Sequence, residues 1–294
     1  MPELPDVVVY VERLAALFAG RRLDEVRLRS PFVLRTVDPP LDAAAGRTLR
    51  AVRRVGKRVV LALDGDLFVV IHLMIAGRLR LRRASARPGR DALAVFRFGA
   101  DALWLTEAGT RRRASLHVVQ GDAALAALDP GGLDVLTASP EAFTAALRRE
   151  RHTVKRALTD PALFDGIGNA YSDEILHLAR LSPVIRTDRL TDEEVGRLYA
   201  AARETLAAWI GRLRDEVGEG FPEKVTAHRE GMRVHGRFRQ PCPVCGAPIQ
   251  RVVWAENEMN YCPVCQTGGK VLSDRVLARL LGRDWAGWGL RGER

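Results

Sequence analysis

Two Cys-Pro-Val-Cys quartets, Cys242 to Cys245 and Cys262 to Cys265, hold all 4 cysteines of the chain with 16 residues between them. Four thiols on two tight turns at this spacing suit tetrahedral Zn²⁺ and argue against a disulfide framework. Four protein ligands close the coordination sphere, so one structural Zn²⁺ on Cys242, Cys245, Cys262 and Cys265 is expected, and not a catalytic metal. Arg233, Arg237, Arg239 and Arg251 surround the knuckles. A small ribbon stapled by zinc is a common way to present such residues to DNA. The ribbon and the tail behind it are expected over 232–294, where Leu272, Val276, Leu277, Leu280 and Leu281 recur at helical spacing.

The 294 residues are enough for two or three domains with their own cores. No run of about 18 apolar residues and no signal-peptide core is present, so a cytoplasmic protein without a membrane partner is expected. The net charge is +10 and the excess is concentrated. Between Gly46 and Ser115 there are 16 Arg or Lys against 5 acids, which suggests a polyanionic partner, nucleic acid before an anionic membrane.

Apolar spacing at Leu4, Val7, Val8, Val11, Leu14, Ala15 and Phe18 predicts a first helix, started near Pro5 and Asp6 and stopped by Gly20. Eight short strands follow, at 26–28, 49–52, 59–63, 67–72, 78–81, 93–98, 103–106 and 116–119. Their even spacing reads as a β-sandwich or flattened barrel. Asp129-Pro130-Gly131-Gly132 closes this first domain (1–128) and opens a helical one (133–231). Helices are expected at 153–159 and 169–179 around Asp165-Gly166-Ile167-Gly168, with Asn169 as an N-cap. Thr191-Asp192-Glu193-Glu194 is a capping box before a long amphipathic helix to about Arg214. The polar stretch 215–231 reads as a loop. The fold class is therefore α+β and multidomain.

The N-terminus carries a second chemical signal. Trimming of Met1 would leave Pro2 as a free secondary amine, and an α-amino group titrates near neutrality, at roughly pKa 8. Such an amine attacking an aldehyde-like carbon gives a charged iminium, an electron sink for elimination. Glu3 adds a carboxyl beside it that could move protons. Taken alone, the same six residues are an ordinary helix start, and Lys57 beside Gly56 is ordinary surface.

Together these stretches resemble one family, the formamidopyrimidine-DNA glycosylase and endonuclease VIII family of base-excision repair enzymes. The matching residues are Pro2-Glu3-Leu4-Pro5, Gly56-Lys57, His72-Leu73 with Gly77, Gly166-Ile167-Gly168-Asn169-Ala170-Tyr171 with Asp173-Glu174, and the two Cys-Pro-Val-Cys knuckles. They run in the family's order from residue 2 to about 266. The resemblance implies an N-terminal helix with a β-sandwich, a central helix–two-turn–helix domain and a C-terminal zinc ribbon. It also implies attack of Pro2 on C1′ of a damaged nucleotide, loss of the base, a protein–DNA Schiff base and strand nicking by elimination. Glu3 would assist sugar opening, and Lys57 would act beside the scissile sugar. His72, Lys155 and Asn169 would contact the DNA backbone around a flipped base.

The departures from the family pattern are specific. Asn257 stands where an Arg is usual, five residues before the third cysteine. Met74-Ile75 follows His72-Leu73 in place of Gly-Met, and Arg90 stands near a position where histidine is common. Arg111-Arg112-Arg113-Ala114 replaces Arg-Arg-Phe-Gly, so DNA contacts of Arg90, Arg111, Arg112 and Arg113 are expected in altered form. A monomer acting on damaged DNA, with single-stranded or abasic DNA favoured, is the resulting expectation. The alternatives are a lesion-binding protein on the same scaffold whose chemistry has lapsed, and an unrelated zinc-ribbon module. The first has no need of Pro2, Glu3 and Lys57 together, and the second leaves the N-terminus unexplained.

Overall fold

Helix α1 (Leu4–Phe18) carries Leu4, Val7, Tyr10, Leu14 and Phe18 on its buried side, every one at most 1% exposed. Full burial of such side chains contributes roughly 1.5–3 kcal/mol each. Phe18 stacks on Phe98 with ring centroids 4.4 Å apart, and the Tyr10 hydroxyl donates to Leu79 O at 3.4 Å. The structure, a computed structural model, describes residues 1–109, 111–226, 228–254 and 257–273. Val276, Leu277, Leu280 and Leu281 of the expected tail helix lie outside the described residues.

All eight expected strands are present: β1 (Glu25–Leu28), β2 (Leu49–Val55), β3 (Arg58–Leu63), β4 (Leu67–His72), β5 (Gly77–Arg83), β6 (Ala92–Phe98), β7 (Asp101–Glu107) and β8 (Ser115–Gln120). They form two four-stranded antiparallel sheets, ordered β1-β6-β7-β5 and β2-β3-β4-β8. The main core lies between them, where Leu61, Val69, Ile71, Leu79, Phe96, Leu103, Leu105 and Leu116 meet α1. The architecture is the sandwich expected from the strand spacing.

Helices α2 (Asp122–Ala126), α3 (Pro140–Arg148), α4 (Val154–Thr159), α5 (Asn169–Leu178) and α6 (Asp192–Val217) follow. Helix α3 is capped by Ser139, whose Oγ accepts from Ala142 N–H at 3.2 Å, with Pro140 at the start. The Thr191–Glu194 capping box forms as read, with Glu194 Oε2 accepting Thr191 N–H and Thr191 Oγ1 accepting Glu194 N–H. The hairpin β9 (Gln250–Trp254) and β10 (Asn257–Tyr261) and the short α7 (Pro263–Thr267) build the ribbon. No helix among the described residues is long and apolar enough to cross a membrane.

The chain divides into two compact units, residues 1–132 with 207–226, and residues 133–206 with the chain from 227 onward. Part of the stretch 215–231, read as loop from its polarity, packs on the sandwich. Val225 is buried, Phe221 lies 5.6 Å from the Tyr10 ring, and Glu223 pairs with Arg80 and Arg82. Two apolar anchors and one carboxylate hold it down.

Candidate active site

Glu3 is the N-cap of α1. Its side chain accepts the Asp6 backbone N–H, and Asp6 Oδ2 accepts the Glu3 N–H at 2.9 Å. This reciprocal pair satisfies two of the donors that a helix start leaves open. Both carboxyls are buried, at 2% and 4% exposure, and Pro2 is buried next to them. The sequence reading placed Asp6 only as a first-turn acid. An acid three residues after an acidic cap was the available signal for its role in holding Glu3.

The α-amino group of Met1 shares this environment. Burial lowers its pKa below the ordinary value of 8.0, Glu3 and Asp6 act to raise it, and Arg78 and Lys57 act to lower it. A cation desolvated next to other cations loses its proton more readily. Lys57 stands on the two-residue turn between β2 and β3, with Val55 paired to Arg58 and Gly56 at φ +59°. Arg78 was not singled out in the sequence. Its guanidinium donates to Ile75 O, Gly77 O and Val225 O.

His72 ends β4, paired across the sheet with Arg58 on one side and Ser115 on the other. Burial pushes its pKa down to about 4, and Arg58, Lys57 and His117 push the same way. The imidazole is therefore neutral at physiological pH and offers a hydrogen bond without a charge. Lys57 acts on both the amine and His72, so one small region of the first unit holds Pro2, Glu3, Lys57 and His72.

Two turns lie at the ends of neighbouring strands. Between β4 and β5, Gly77 N–H donates to Leu73 O at 2.9 Å, and a Cβ on Gly77 would stand 2.2 Å from that oxygen. Only glycine fits there. Met74 takes φ +53°, and Ile75 is 49% exposed. After β7, Arg111, Arg112 and Arg113 are exposed, while buried Glu107 accepts the Arg113 and Ala114 N–H groups at 2.8 and 2.9 Å. Gly77 and Glu107 are cross-strand partners, so the two turns are tied together. Arg90 is exposed, and its carbonyl accepts from Arg112 Nη2 at 3.0 Å.

The second unit brings Lys155 and Asn169 together in an arrangement that the motifs did not foretell. Lys155 is buried, and its Nζ donates to Asn169 O, Ser172 Oγ and Asp173 Oδ1 at 3.1, 2.9 and 2.6 Å. All three ammonium donors thus have partners inside the fold. Gly168, and not Asn169, is the N-cap of α5. Asn169 is its first helical residue, and its Nδ2 donates to Glu258 O on β10 at 2.7 Å. A contact 89 residues away in sequence overrides the local capping preference.

Asp173 Oδ2 also accepts from Asn260 N–H at 3.1 Å and faces His235 Nδ1 at 2.8 Å. Next to it, Glu174 accepts the N–H groups of Arg233, Val234 and His235 at 2.6, 2.8 and 2.9 Å. Burial pushes the Glu174 carboxyl above its ordinary pKa, against the pull of these three donors. Helix α5 thereby grips both chain segments that lead into the ribbon. Asp173→Ala would leave Lys155 buried without a counter-charge. The expected cost is about 3–5 kcal/mol, read as a fall in the urea midpoint. A loss below about 1 kcal/mol, the size of an exposed ion pair, would contradict this role.

In the ribbon, Cys242 and Cys265 Sγ lie 3.9 Å apart, Cys245 and Cys262 Sγ 3.4 Å, and all four sulfurs fall within 4.8 Å of one another. A tetrahedron with Zn–S bonds of about 2.3 Å has edges of about 3.8 Å, and disulfide sulfurs would be at about 2.05 Å. Val244 N–H and Cys265 N–H point at Cys242 and Cys262 Sγ, at 3.5 and 3.4 Å. The donor set fits a tetrahedral thiolate metal. Asn257 opens β10, but its side chain is outside the described part of the molecule.

The same three segments match known family models. Residues 1–116 match the formamidopyrimidine-DNA glycosylase N-terminal domain, 132–217 the formamidopyrimidine-DNA glycosylase H2TH domain, and 239–268 a zinc finger found in FPG and IleRS. Formamidopyrimidine-DNA glycosylase of Salinispora arenicola is 35% identical over 290 residues, covering 90% of this chain and 96% of that protein. The formamidopyrimidine-DNA glycosylase of Thermus thermophilus is 35% identical over 284 residues, covering 92% of this chain and all of its own length. Among solved structures, the Lactococcus lactis enzyme in complex with FAPY-dG-containing DNA aligns with a TM-score of 0.81 and 25% identity. That alignment covers 90% of this chain and 100% of the other. With matched N-terminal, helical and zinc-finger domains in one chain, and relatives this similar over nearly their full length, the protein belongs to the formamidopyrimidine-DNA glycosylase family of DNA glycosylases.

Proposed function

We propose that the chain is a bifunctional DNA glycosylase and abasic-site lyase whose nucleophile is the amine of Pro2, freed by removal of Met1. The observation that carries this reading is the buried start of α1. There the α-amino group of Met1, one residue ahead of Pro2, has a lowered pKa and shares its surroundings with the Glu3 carboxyl and the Lys57 ammonium. The neutral amine attacks C1′, and the C1′–N bond to the base breaks, the base leaving with a proton. Opening of the C1′–O4′ bond, with a proton delivered to O4′ through Glu3, gives the iminium. Loss of a C2′ proton then expels the 3′-phosphate and nicks the strand. Water hydrolyses the remaining unsaturated iminium, releasing the aldehyde and a proton and regenerating the amine. Lys57 acts beside the scissile sugar, and neutral His72 donates a hydrogen bond to a neighbouring phosphate.

Residues 1–128 serve as the catalytic domain, 133–231 as the helix–two-turn–helix DNA-binding domain, although 207–226 group with the first compact unit, and 232–294 as the zinc ribbon with its tail. One structural Zn²⁺ is held by Cys242, Cys245, Cys262 and Cys265. The chain works as a monomer on damaged DNA. Arg90, Arg111, Arg112 and Arg113 face the DNA, with Asn169 contacting its backbone and Lys155 holding the Asn169 turn in place. Duplexes carrying oxidised purines, oxidised pyrimidines or an abasic site test this function. Base release with strand cleavage on at least one lesion is expected. Tight binding with no product on any of them would leave a lesion-binding protein instead.

Arg113 shapes the substrate preference. An aromatic wedge offsets the stacking lost when a base leaves the helix. A guanidinium stacks through its flat face but stays hydrated and prefers phosphate. Unstacking costs a few kcal/mol, and unpaired DNA avoids much of that cost. Initial rates should therefore favour single-stranded, bubble or abasic DNA over the same lesion in intact duplex, with weak selectivity for the opposing base. Arg113→Phe should shift the ratio toward duplex by roughly tenfold, the effect of about 1.4 kcal/mol. Strong duplex preference with sharp selectivity for one opposing base in the unaltered protein would defeat this assignment.

A further inference from the structure

Helix α5 reaches the metal centre through a residue that belongs to none of the motifs. His177 lies in its last turn, is 2% exposed, and places Nε2 3.3 Å from Cys242 Sγ. Its other nitrogen, Nδ1, is fully enclosed and has no hydrogen-bond partner among the described residues. A neutral imidazole carries one proton. On Nδ1 that proton would be a buried donor with nothing to meet, which leaves its desolvation uncompensated. On Nε2 it points at a sulfur. The proton therefore belongs on Nε2, and the contact is an N–H···S hydrogen bond.

We propose that His177 is an outer-sphere partner of the zinc centre, donating from Nε2 to the Cys242 thiolate and fixing that ligand on the metal. The inference rests on the four-cysteine zinc reading and extends it to a residue of the helical segment. Four thiolates around Zn²⁺ carry a net charge of −2, which a buried site cannot leave unanswered. Backbone N–H groups of the knuckles answer part of it, at Cys242 from Val244 and at Cys262 from Cys265. Cys242 receives the further donor from His177, and it is also one of the two most enclosed cysteines. Partners of this kind orient a ligand and tune its donation, and their loss weakens metal affinity typically 10–100-fold.

The placement has a structural consequence. The same helix starts with Asn169, whose amide holds β10, and carries Asp173 and Glu174, which hold residues 233–235 and Asn260. His177 adds the metal centre to this set. Helix α5 is thus bonded to the ribbon from its first turn to its last, and zinc occupancy bears on the turn that presents Asn169.

His177→Phe keeps the ring volume and removes the donor, whereas His177→Gln keeps an N–H of similar reach. The full-length protein is loaded with zinc, and release to excess chelator is timed. The Phe variant should release zinc 10–100-fold faster than wild type, and the Gln variant should fall between. In cobalt-substituted protein the sulfur-to-metal charge-transfer band should shift in the Phe variant. If that variant does not fold, cadmium-113 NMR of the wild type supplies an independent reading. A coupling between the metal and the His177 Nε2 proton, transmitted through Cys242 Sγ, is expected. Equal release rates in a folded Phe variant, or a ring proton on Nδ1, would overturn the proposal. A wild-type protein that binds no metal would instead overturn the zinc reading beneath it.

Discussion

A peptide fused ahead of Pro2 and not removed is expected to abolish borohydride trapping on abasic DNA, and Pro2→Gly, which leaves a primary amine in place of the secondary one, is expected to reduce it. A fused peptide turns the amine into an amide, which has no nucleophilic lone pair. The fold should survive, because α1 begins at Leu4 and its burial does not depend on a free terminus. Glu3→Gln separates folding from chemistry more finely. Glutamine still offers an oxygen to the Asp6 N–H, so the cap is largely kept, but it cannot deliver a proton. Base excision should fall by about 10²–10⁴, the range for removal of a general acid or base, with little change in thermal midpoint. The pH dependence has a definite sign. Burial lowers the pKa of the Met1 α-amino group from 8.0, and the Pro2 amine one residue further in is expected to follow, so that its reactive neutral form is reached at lower pH than in a free peptide. Trapping rates should therefore rise with pH and level off below about pH 8. A midpoint above that value would place the amine in solvent.

Loss of the metal should have the other large effect. The ribbon's two apolar clusters are small, with Val234 and Ile249 beside Cys242 and Cys262 in one, and Val252, Met259 and Tyr261 in the other. Clusters of this size cannot offset the chain entropy of ordering the ribbon, whereas structural zinc contributes apparent values of about 10–16 kcal/mol. Cys262→Ser or exhaustive chelation should therefore unfold the ribbon. DNA affinity should drop while the sandwich keeps its near-ultraviolet signature. Asp173 and Glu174 would lose partners in 233–235 and at Asn260, so the helical segment should also become more open to hydrogen exchange. Stoichiometric zinc retained by Cys262→Ser would contradict the four-cysteine site.

The readable parts of the chain were those decided locally. Short runs bounded by turn residues at even spacing announced all eight members of the sandwich. A capping box marked α6, and the cysteine spacing marked the metal site. Ser139-Pro140 was an equally local start signal for α3 that the sequence reading did not use. What spacing does not convey is a partner far away in sequence. Asn169 looked like a cap because its side chain suits one, yet β10 claims it. Lys155 was expected on a DNA phosphate, yet Asp173 draws it inside. Residues 219–226 looked loose because they are polar. Phe221, Glu223 and Val225 nevertheless find the Tyr10 ring, two arginines and the core. At the amine the local reading reached Glu3 and the resemblance reached Lys57, but neither reached Arg78 or the hold of Asp6 on Glu3, because a charge environment is a property of the folded surface.

The central claim is that the N-terminal amine, and not a lysine, joins the DNA. The most direct measurement is borohydride reduction of the complex with abasic DNA, followed by nuclease and protease digestion and mass mapping of the modified peptide. A reduced sugar remnant on the amine of Pro2, in a peptide that lacks Met1, is the predicted result. The same remnant on Lys57, or on any other lysine, with an unmodified Pro2, would contradict it.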